Sequence, residues 1–403
     1  MKNLLSINNK INIFNKVINV EGDKSLSIRW VLLASQASGK SKAYNLLMSE
    51  DVLAAINGVK KLGIVVNTRK NYCEIIGNGI NGFKYKKNLT LDAKNSGTFG
   101  RLMLGLLIKS SKKIKMIGDK SLSKRDFSRI TIPLEKFGAK FYYKKKNKLP
   151  ILILGSESTK GIRYIENKGS AQCKSSVMLA AINSFGTTFI KAKKSRNHSE
   201  LLFKYLKIPI KVKKAKNYDF INIKAPKKIK AFNYKIPGDI SSSAFFIVLT
   251  ILTKSSKLLI KDVNINPSRI GVITILKKMG AKIFLKNKRN YRGEKISDIS
   301  IQGSNNLKRI NCPVKLNSKA IDEFLVIFLV AAKAKGTSYF KDLSELDQKE
   351  SPRLKWGSKI LNMMGIKTKL TKDSIKIYGQ PNLKITKSII IKNYLRDHRI
   401  FMM

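Results

Sequence analysis

Cysteine, histidine and acidic side chains are all scarce in this 403-residue chain, and each scarcity closes off a class of function. The three cysteines, Cys73, Cys173 and Cys312, are odd in number and far apart. They form neither a disulfide framework nor a zinc-ligand spacing, and they suit a reducing, cytoplasmic setting. The two histidines, His198 and His398, are expected to be hydrogen-bonded structural residues rather than bases. No long apolar stretch is present. The longest, FLVIFLVAA at 324–332, falls well short of the roughly 20 residues that span a bilayer, so it is expected to be a buried helix. The opening MKNLLSINNKINIFNK lacks the uninterrupted apolar segment of a signal peptide.

Acidic residues number 25 against 81 basic ones, a formal net charge of +56. An excess of that size ordinarily points to polynucleotide or anionic membrane. Here it is mostly lysine scattered along the chain, with short runs such as KYKK (84–87) and YKKKNK (143–148). Isoleucine and asparagine are abundant beside it, and all three share AT-rich codons. The charge is therefore read as coding bias plus solvated faces, with no nucleic-acid or membrane partner expected. At 43% hydrophobic residues the composition is globular, and the length suits two domains.

A repeat lies in the spacing. A small, polar turn launches an apolar helix at GDKSLSIRWVLLA (22–34), NSGTFGRLMLGLL (95–107), GSAQCKSSVMLAAI (169–182), GDISSSAFFIVLTIL (238–252), AIDEFLVIFLVAA (320–332) and DHRIFMM (397–403). Successive starts are 73, 74, 69, 82 and 77 residues apart. A second unit, a helix closed by glycine and followed by a strand, reads VKKLGIVV (59–66), LEKFGAKFYY (134–143), LKKMGAKIFL (276–285) and LNMMGIKTKL (361–370), while FKYLKIPIKV (203–212) fills the same place without the glycine. Each copy thus predicts strand, helix, strand, helix, strand over about 75 residues. Six copies fit, the sixth stopping just after its first helix begins, and the chain is expected to be short of its last half repeat. Ser, Thr, Asp and Gly at the helix starts supply N-caps, and first-turn N–H groups there attract anions. The pattern alone predicts a repeat α/β protein that binds small, highly anionic ligands.

The residues at those starts are more specific. EGDKSLSIR (21–29), NSGTFGRL (95–102), GDKSLSKRDFSRITIPLEKFGA (118–139), GSAQCKSS (169–176), SRNHSE (195–200), IPGDISSSAFF (236–246), AIDEF (320–324), LDQKESPRL (346–354) and DHRI (397–400) occur in order across nearly the whole chain. Together they resemble the 5-enolpyruvylshikimate-3-phosphate synthase family. The resemblance implies an α/β fold of two inside-out α/β prisms, built from six βαβαβ-type repeats of which the last is incomplete. It implies an N-terminal domain at 22–237 and a C-terminal domain of 1–21 plus 238–403, which close on ligand. The reaction implied is transfer of the enolpyruvyl group of phosphoenolpyruvate (PEP) to the 5-hydroxyl of shikimate 3-phosphate through a tetrahedral intermediate. No metal or organic cofactor is implied, and a monomer is expected.

Carried over residue by residue, the resemblance assigns shikimate 3-phosphate to Lys24, Ser25, Arg29, Ser170, Gln172, Arg196, Asp322 and Lys349. It assigns PEP to Lys24, Gly97, Arg125, Gln172, Arg353 and Arg399. Asp322 is the implied base for the hydroxyl, Glu350 the proton donor to the methylene carbon, and Lys24 the group that meets charge on the departing phosphate. Arg125, Arg353 and Arg399 are expected to present forked contacts to carboxylate and phosphate. Three positions depart from the expected pattern: Pro352, Trp30 and Phe401. One alternative is the sister transferase acting on UDP-N-acetylglucosamine, which carries a reactive cysteine where 112–125 here has none. The other is a basic, non-catalytic nucleic-acid-binding relative.

Overall fold

The computed structural model describes residues 10–385, 389–391 and 397–403. They divide into two compact units. The N-unit comprises Glu21–Asp239 and Arg289–Ile296; the C-unit comprises the chain up to Val20, Ile240–Lys288 and Ser297–Met403. The sequence-based division left 289–296 with the second domain, whereas the structure groups it with the N-unit. Among the described residues no helix is long and apolar enough to cross a membrane.

In the N-unit the repeat is visible as sheet topology. Leu89–Asp92 runs parallel to Ile114–Ile117, which pairs antiparallel with Ile151–Leu154, which in turn pairs antiparallel with Lys140–Tyr143. The next sheet copies this order with Arg163–Glu166, Thr187–Lys193, Tyr218–Lys224 and Ile210–Lys214. The first sheet of the chain does so too, with Ala37–Tyr44, Tyr72–Asn78 and Val65–Arg69, but it takes its parallel strands from 229–230 and 233–235. The end of the third repeat thereby closes the ring onto the first. In the C-unit, Asn15–Asn19 lies parallel to Lys257–Asn264, followed across the sheet by Glu294–Gln302 and Lys282–Tyr291. The last sheet carries Gly336–Phe340, Ile375–Gly379 and Thr368–Leu370, with parallel bridges from Lys308 and Asn311.

Each complete repeat is therefore βαβαββ, one strand more than the five-element unit expected. The parallel pair needs a helical crossover, whereas the closing antiparallel pair needs only a short turn. The added strand is the last of each repeat, as in Tyr72–Asn78, Ile151–Leu154 and Tyr218–Lys224, which returns antiparallel to the strand that follows the second helix.

The N-unit helices are α1 (Lys24–Ser35), α2 (Glu50–Lys61), α3 (Gly97–Leu106), α4 (Ser128–Glu135), α5 (Ala171–Ala181) and α6 (His198–Tyr205). The C-unit holds α7 (Ile240–Leu252), α8 (Gly271–Lys278), α9 (Asn317–Ala320), α10 (Phe324–Lys333), α11 (Arg353–Met363) and α12 (His398–Phe401). The helices that open each repeat are apolar almost all round, as a helix enclosed by other elements must be. Every residue of α1 from Leu26 to Ser35 is buried, as is every residue of α5 from Cys173 to Ala181. The sheets lie outside them, so one face of each strand meets solvent and leaves Ile165, Phe189 and Phe220 exposed.

The second helices α2, α6, α8 and α11 end alike, while α4 is followed by Gly138, also at positive φ. Gly63, Gly280 and Gly365 have positive φ, and the next N–H in each case reaches back to a carbonyl five residues earlier. After α6 that place is held by Lys207, which adopts φ 57° nonetheless, with the Ile208 N–H bonded to Phe203 O. Trp30 is fully buried and packs edge-on against Phe232, while Phe401 is exposed. Pro352 stands immediately before α11, where its missing N–H costs nothing and its carbonyl accepts from Trp356 N–H.

Candidate active site

In the N-unit, α1, α3 and α5 start at one end. Their early residues bond one another: Arg101, one turn into α3, donates to Gln172 Oε1 of the first turn of α5 (2.8 Å), and Gln172 Nε2 donates to Thr98 Oγ1 (2.9 Å). Arg29 of α1 donates through Nη2 to Ser175 Oγ of α5 (2.9 Å). The starts are capped as their sequences predict. Asp23 accepts from Leu26 N–H (2.9 Å), Ser96 from Phe99 N–H (3.3 Å) and Ser170 from Cys173 N–H (3.3 Å). The serine caps of α3 and α5 are neutral, so the positive ends of those helix dipoles stay uncompensated by their caps. At α1 two carboxylates already sit on the first turn, because Lys24 N–H also donates to Asp239 Oδ2 (3.1 Å).

Around these starts stand the cations that the sequence singled out. Lys24 Nζ lies 3.0 Å from Asp51 Oδ2, with both side chains partly exposed. Arg125 follows the short turn Leu122–Lys124 and is half-buried. Gly97 lies beneath two guanidinium groups: a Cβ there would come within 2.7 Å of Arg101 Nη1 and 3.2 Å of Arg125 Nη1. Arg101 also stacks on Phe127, 5.0 Å from the ring centre. Arg196 lies between Thr187–Lys193 and α6 and is half-buried, as are Ser25, Ser170 and Gln172.

Arg29, which the resemblance assigns to shikimate 3-phosphate, lies within α1. It is almost fully buried, and its guanidinium donates to Ser199 Oγ (2.8 Å), Ser175 Oγ and Ser25 O (3.0 Å). Burial pulls its pKa down to about 10, partly opposed by Glu200 and Asp23.

The C-unit gathers Asp322, Lys349, Glu350, Arg353 and Arg399, with Arg353 as hub. Arg353 Nε donates to Asp397 Oδ2 (2.9 Å), Nη1 to Asp322 Oδ1 (3.2 Å) and Nη2 to Glu350 Oε2. Lys349 Nζ stands 3.7 Å from the same Asp322 oxygen. Arg353 is 2% exposed. Burial alone would lower its pKa, but Glu350, Asp322 and Asp397 together raise it beyond the ordinary arginine value, so it stays a cation. Its whole fork is taken up by carboxylates, where the resemblance assigned it to PEP.

Two supporting groups carried no sequence-based role. Asp397 is buried; it caps α12 by accepting from Arg399 N–H (3.2 Å) and takes Ser351 Oγ–H (2.8 Å) besides Arg353. Glu323, beside Asp322, accepts from Ser241 Oγ–H, and Arg269 Nη2 donates to that same hydroxyl (2.8 Å). The DHR element marked Asp397 as part of a motif, but nothing local signalled Arg269.

The family profile described as EPSP synthase (3-phosphoshikimate 1-carboxyvinyltransferase) matches residues 9–403. The 3-phosphoshikimate 1-carboxyvinyltransferase of Ruthia magnifica subsp. Calyptogena magnifica is 40% identical over 387 residues, covering 96% of this chain and 86% of that one. The enzyme of the same name from Bacillus subtilis (strain 168) is 34% identical over 395 residues, 98% and 90% of the two chains. Among solved structures, EPSP synthase from Acinetobacter baumannii superposes with a TM-score of 0.83 at 35% identity, covering 97% of this chain and 88% of that chain. The enolpyruvyl transferase NikO from Streptomyces tendae shares the fold, with a TM-score of 0.71 at 12% identity over 91% of this chain and 83% of its own. On these matches and the ordered motifs, the chain belongs to the EPSP synthase (3-phosphoshikimate 1-carboxyvinyltransferase) family.

Proposed function

We propose that this protein transfers the enolpyruvyl group of PEP to the 5-hydroxyl of shikimate 3-phosphate, with the residues above in named roles. The observation that carries the assignment is Arg353, whose single guanidinium holds Asp322 and Glu350, the two acids the chemistry needs. In the addition step Asp322 takes the hydroxyl proton as the oxygen bonds to C2 of PEP, and Glu350 delivers a proton to the methylene carbon. In the elimination step Glu350 recovers a proton from the new methyl group, the C2–O(phosphate) bond breaks, and phosphate leaves with Lys24 meeting its charge and takes up the proton that Asp322 had removed, so both acids return to their starting forms. Protons and bonds balance, and the products are 5-enolpyruvylshikimate 3-phosphate and phosphate.

Arg353 orients Glu350 by donating to it through Nη2. A PEP carboxylate that meets Arg353 Nη2 would compete with Glu350 for that donor. Arg125 and Arg399 are the further PEP cations, and Gly97 leaves room beside Arg125. Ser25, Ser170, Gln172, Arg196 and Lys349 take the acceptor, with Arg29 supporting Ser25 from below. As a soluble-substrate transferase it acts on two small anions.

Asp322→Asn tests the base. The variant should bind shikimate 3-phosphate as the wild type does in calorimetry while turnover falls about 100-fold or more, the usual loss for a positioned base. Turnover at the wild-type rate would remove Asp322 from this role.

A further inference from the structure

The strands Lys282–Tyr291 and Glu294–Gln302 are joined by a two-residue turn, Arg292-Gly293, with φ of 47° and 90°. Positive φ at both positions is the primed hairpin turn that suits strand twist, and Asn-Gly is its usual occupant. Arginine is an uncommon choice there. The tip, 289–296, belongs to the N-unit, and its three central residues lie along α6 from its last residue to its first.

At the last residue of α6, the Arg292 guanidinium covers Tyr205 at 5.5 Å, and also Tyr291 at 5.3 Å and Tyr234 at 5.9 Å. In the middle of α6, Gly293 abuts the Leu201 backbone so closely that a Cβ would stand 3.1 Å from Leu201 O. At its first residue, His198 Nδ1 is 2.6 Å from Glu294 Oε1, with both side chains fully buried. Two free polar partners buried this way are costly unless paired, so the bond registers the tip against the helix.

What α6 holds at that end is the acceptor cluster. Ser199, next to His198, accepts from Arg29 Nε and lies 2.7 Å from Ser175 Oγ. Glu200, one further on, pairs with Lys174 Nζ of α5 at 2.6 Å. Arg196 lies two residues before His198. The first three residues of α6 thus tie the hairpin tip to α1 and α5.

We infer that the hairpin tip is a splint for α6, and that His198 and Glu294 are positioning residues for binding of the phosphorylated acceptor, acting through Ser199, Arg29 and Arg196. The inference rests on the acceptor assignment made above. A splint of this kind acts on one substrate and not on the proton transfers, which the C-unit acids perform.

Steady-state kinetics of Glu294→Ala and Glu294→Gln in the full chain test it, with thermal melting alongside. Glu294→Ala should raise KM for shikimate 3-phosphate about tenfold, the scale of one lost bond to a charged group, with kcat and the KM for PEP within about twofold. Glu294→Gln keeps an acceptor oxygen for His198 and should restore most of that KM. A lower melting temperature with unchanged KM would make the contact merely structural and overturn the inference. An equal loss in both substrates and in kcat would overturn it as well. Should Glu294→Ala not fold, Arg292→Met keeps the stem over the tyrosines and should raise the same KM about threefold through the lost cation–π contacts; no change there refutes the splint. Absence of wild-type turnover with shikimate 3-phosphate would instead sink the acceptor assignment itself.

Discussion

Arg353 and Asp397 offer the sharpest energetic test of the C-unit constellation. Their side chains are 3% and 0% exposed, and they meet at 2.9 Å. Arg353→Met keeps most of the volume but leaves Asp397, among the described residues, with Ser351 Oγ–H and Arg399 N–H. Asp322 and Glu350 are partly exposed and can take up water, so the penalty falls chiefly on Asp397. Stranding a buried charge in this way costs about 3–5 kcal/mol. Asp397→Asn is milder, since Arg353 keeps two carboxylates; a loss of about 1–2 kcal/mol is expected, the worth of weakened hydrogen bonds. In the double variant no charge is stranded, so it should be more stable than the sum of the single losses by about 1–3 kcal/mol. Denaturant unfolding followed by tryptophan fluorescence reads this out. Trp356 lies on α11, three residues from Arg353, and a Trp30→Phe background removes the N-unit signal. Losses that add to within about 0.5 kcal/mol would refute the pairing on which the account of Asp322 and Glu350 depends.

Gly97→Ala places a methyl against the Arg101 and Arg125 guanidinium groups and should raise KM for PEP about tenfold or more with little change for the acceptor, since an overpacked contact costs roughly 1–3 kcal/mol; an unchanged KM would free Gly97 from the PEP assignment. Lys207→Gly should stabilise the N-unit by about 0.5–1 kcal/mol by relieving a left-handed lysine, and a lowered denaturation midpoint would contradict this. The three buried thiols should resist a disulfide reagent at pH 8 in the native protein and all react in denaturant, because burial pushes Cys73 up to about 12, Cys312 up to about 11, and Cys173 upward. Raised thiol values stabilise the fold fully below the ordinary value of 9.0, and that contribution is lost as pH climbs toward about 11 to 12. Rapid labelling of one native thiol would show an opening not seen in its packing.

The helix starts were readable because capping is local. Ser96 and Ser170 bond N–H groups three residues on, and the same small, polar turn recurs at a near-constant step. The glycine stops were readable for the same reason, and Lys207 shows the limit: the local hydrogen bonding imposes the left-handed turn even without the residue that signals it. The last strand of each repeat was missed although it is apolar, as in Ile151–Leu154, because no cap or glycine stop marks its start and its place is set by antiparallel pairing with its neighbours. Long-range partners were not readable at all. Nothing near Arg29 in the chain marks its burial against Ser175 and Ser199, and His198 finds Glu294 across 96 residues. Arg353 was singled out as a ligand for PEP, yet which groups would occupy its fork depended on Asp322 and Asp397, each more than thirty residues away. A motif names the residues that matter; the fold decides which of them face each other.

The most direct measurement is the reaction itself. Purified protein mixed with PEP and shikimate 3-phosphate should release phosphate in step with formation of 5-enolpyruvylshikimate 3-phosphate, followed by phosphate assay and mass spectrometry. With UDP-N-acetylglucosamine as acceptor, release should stay at background. Phosphate release with that sugar nucleotide and none with shikimate 3-phosphate would contradict the assigned acceptor and every residue role built on it.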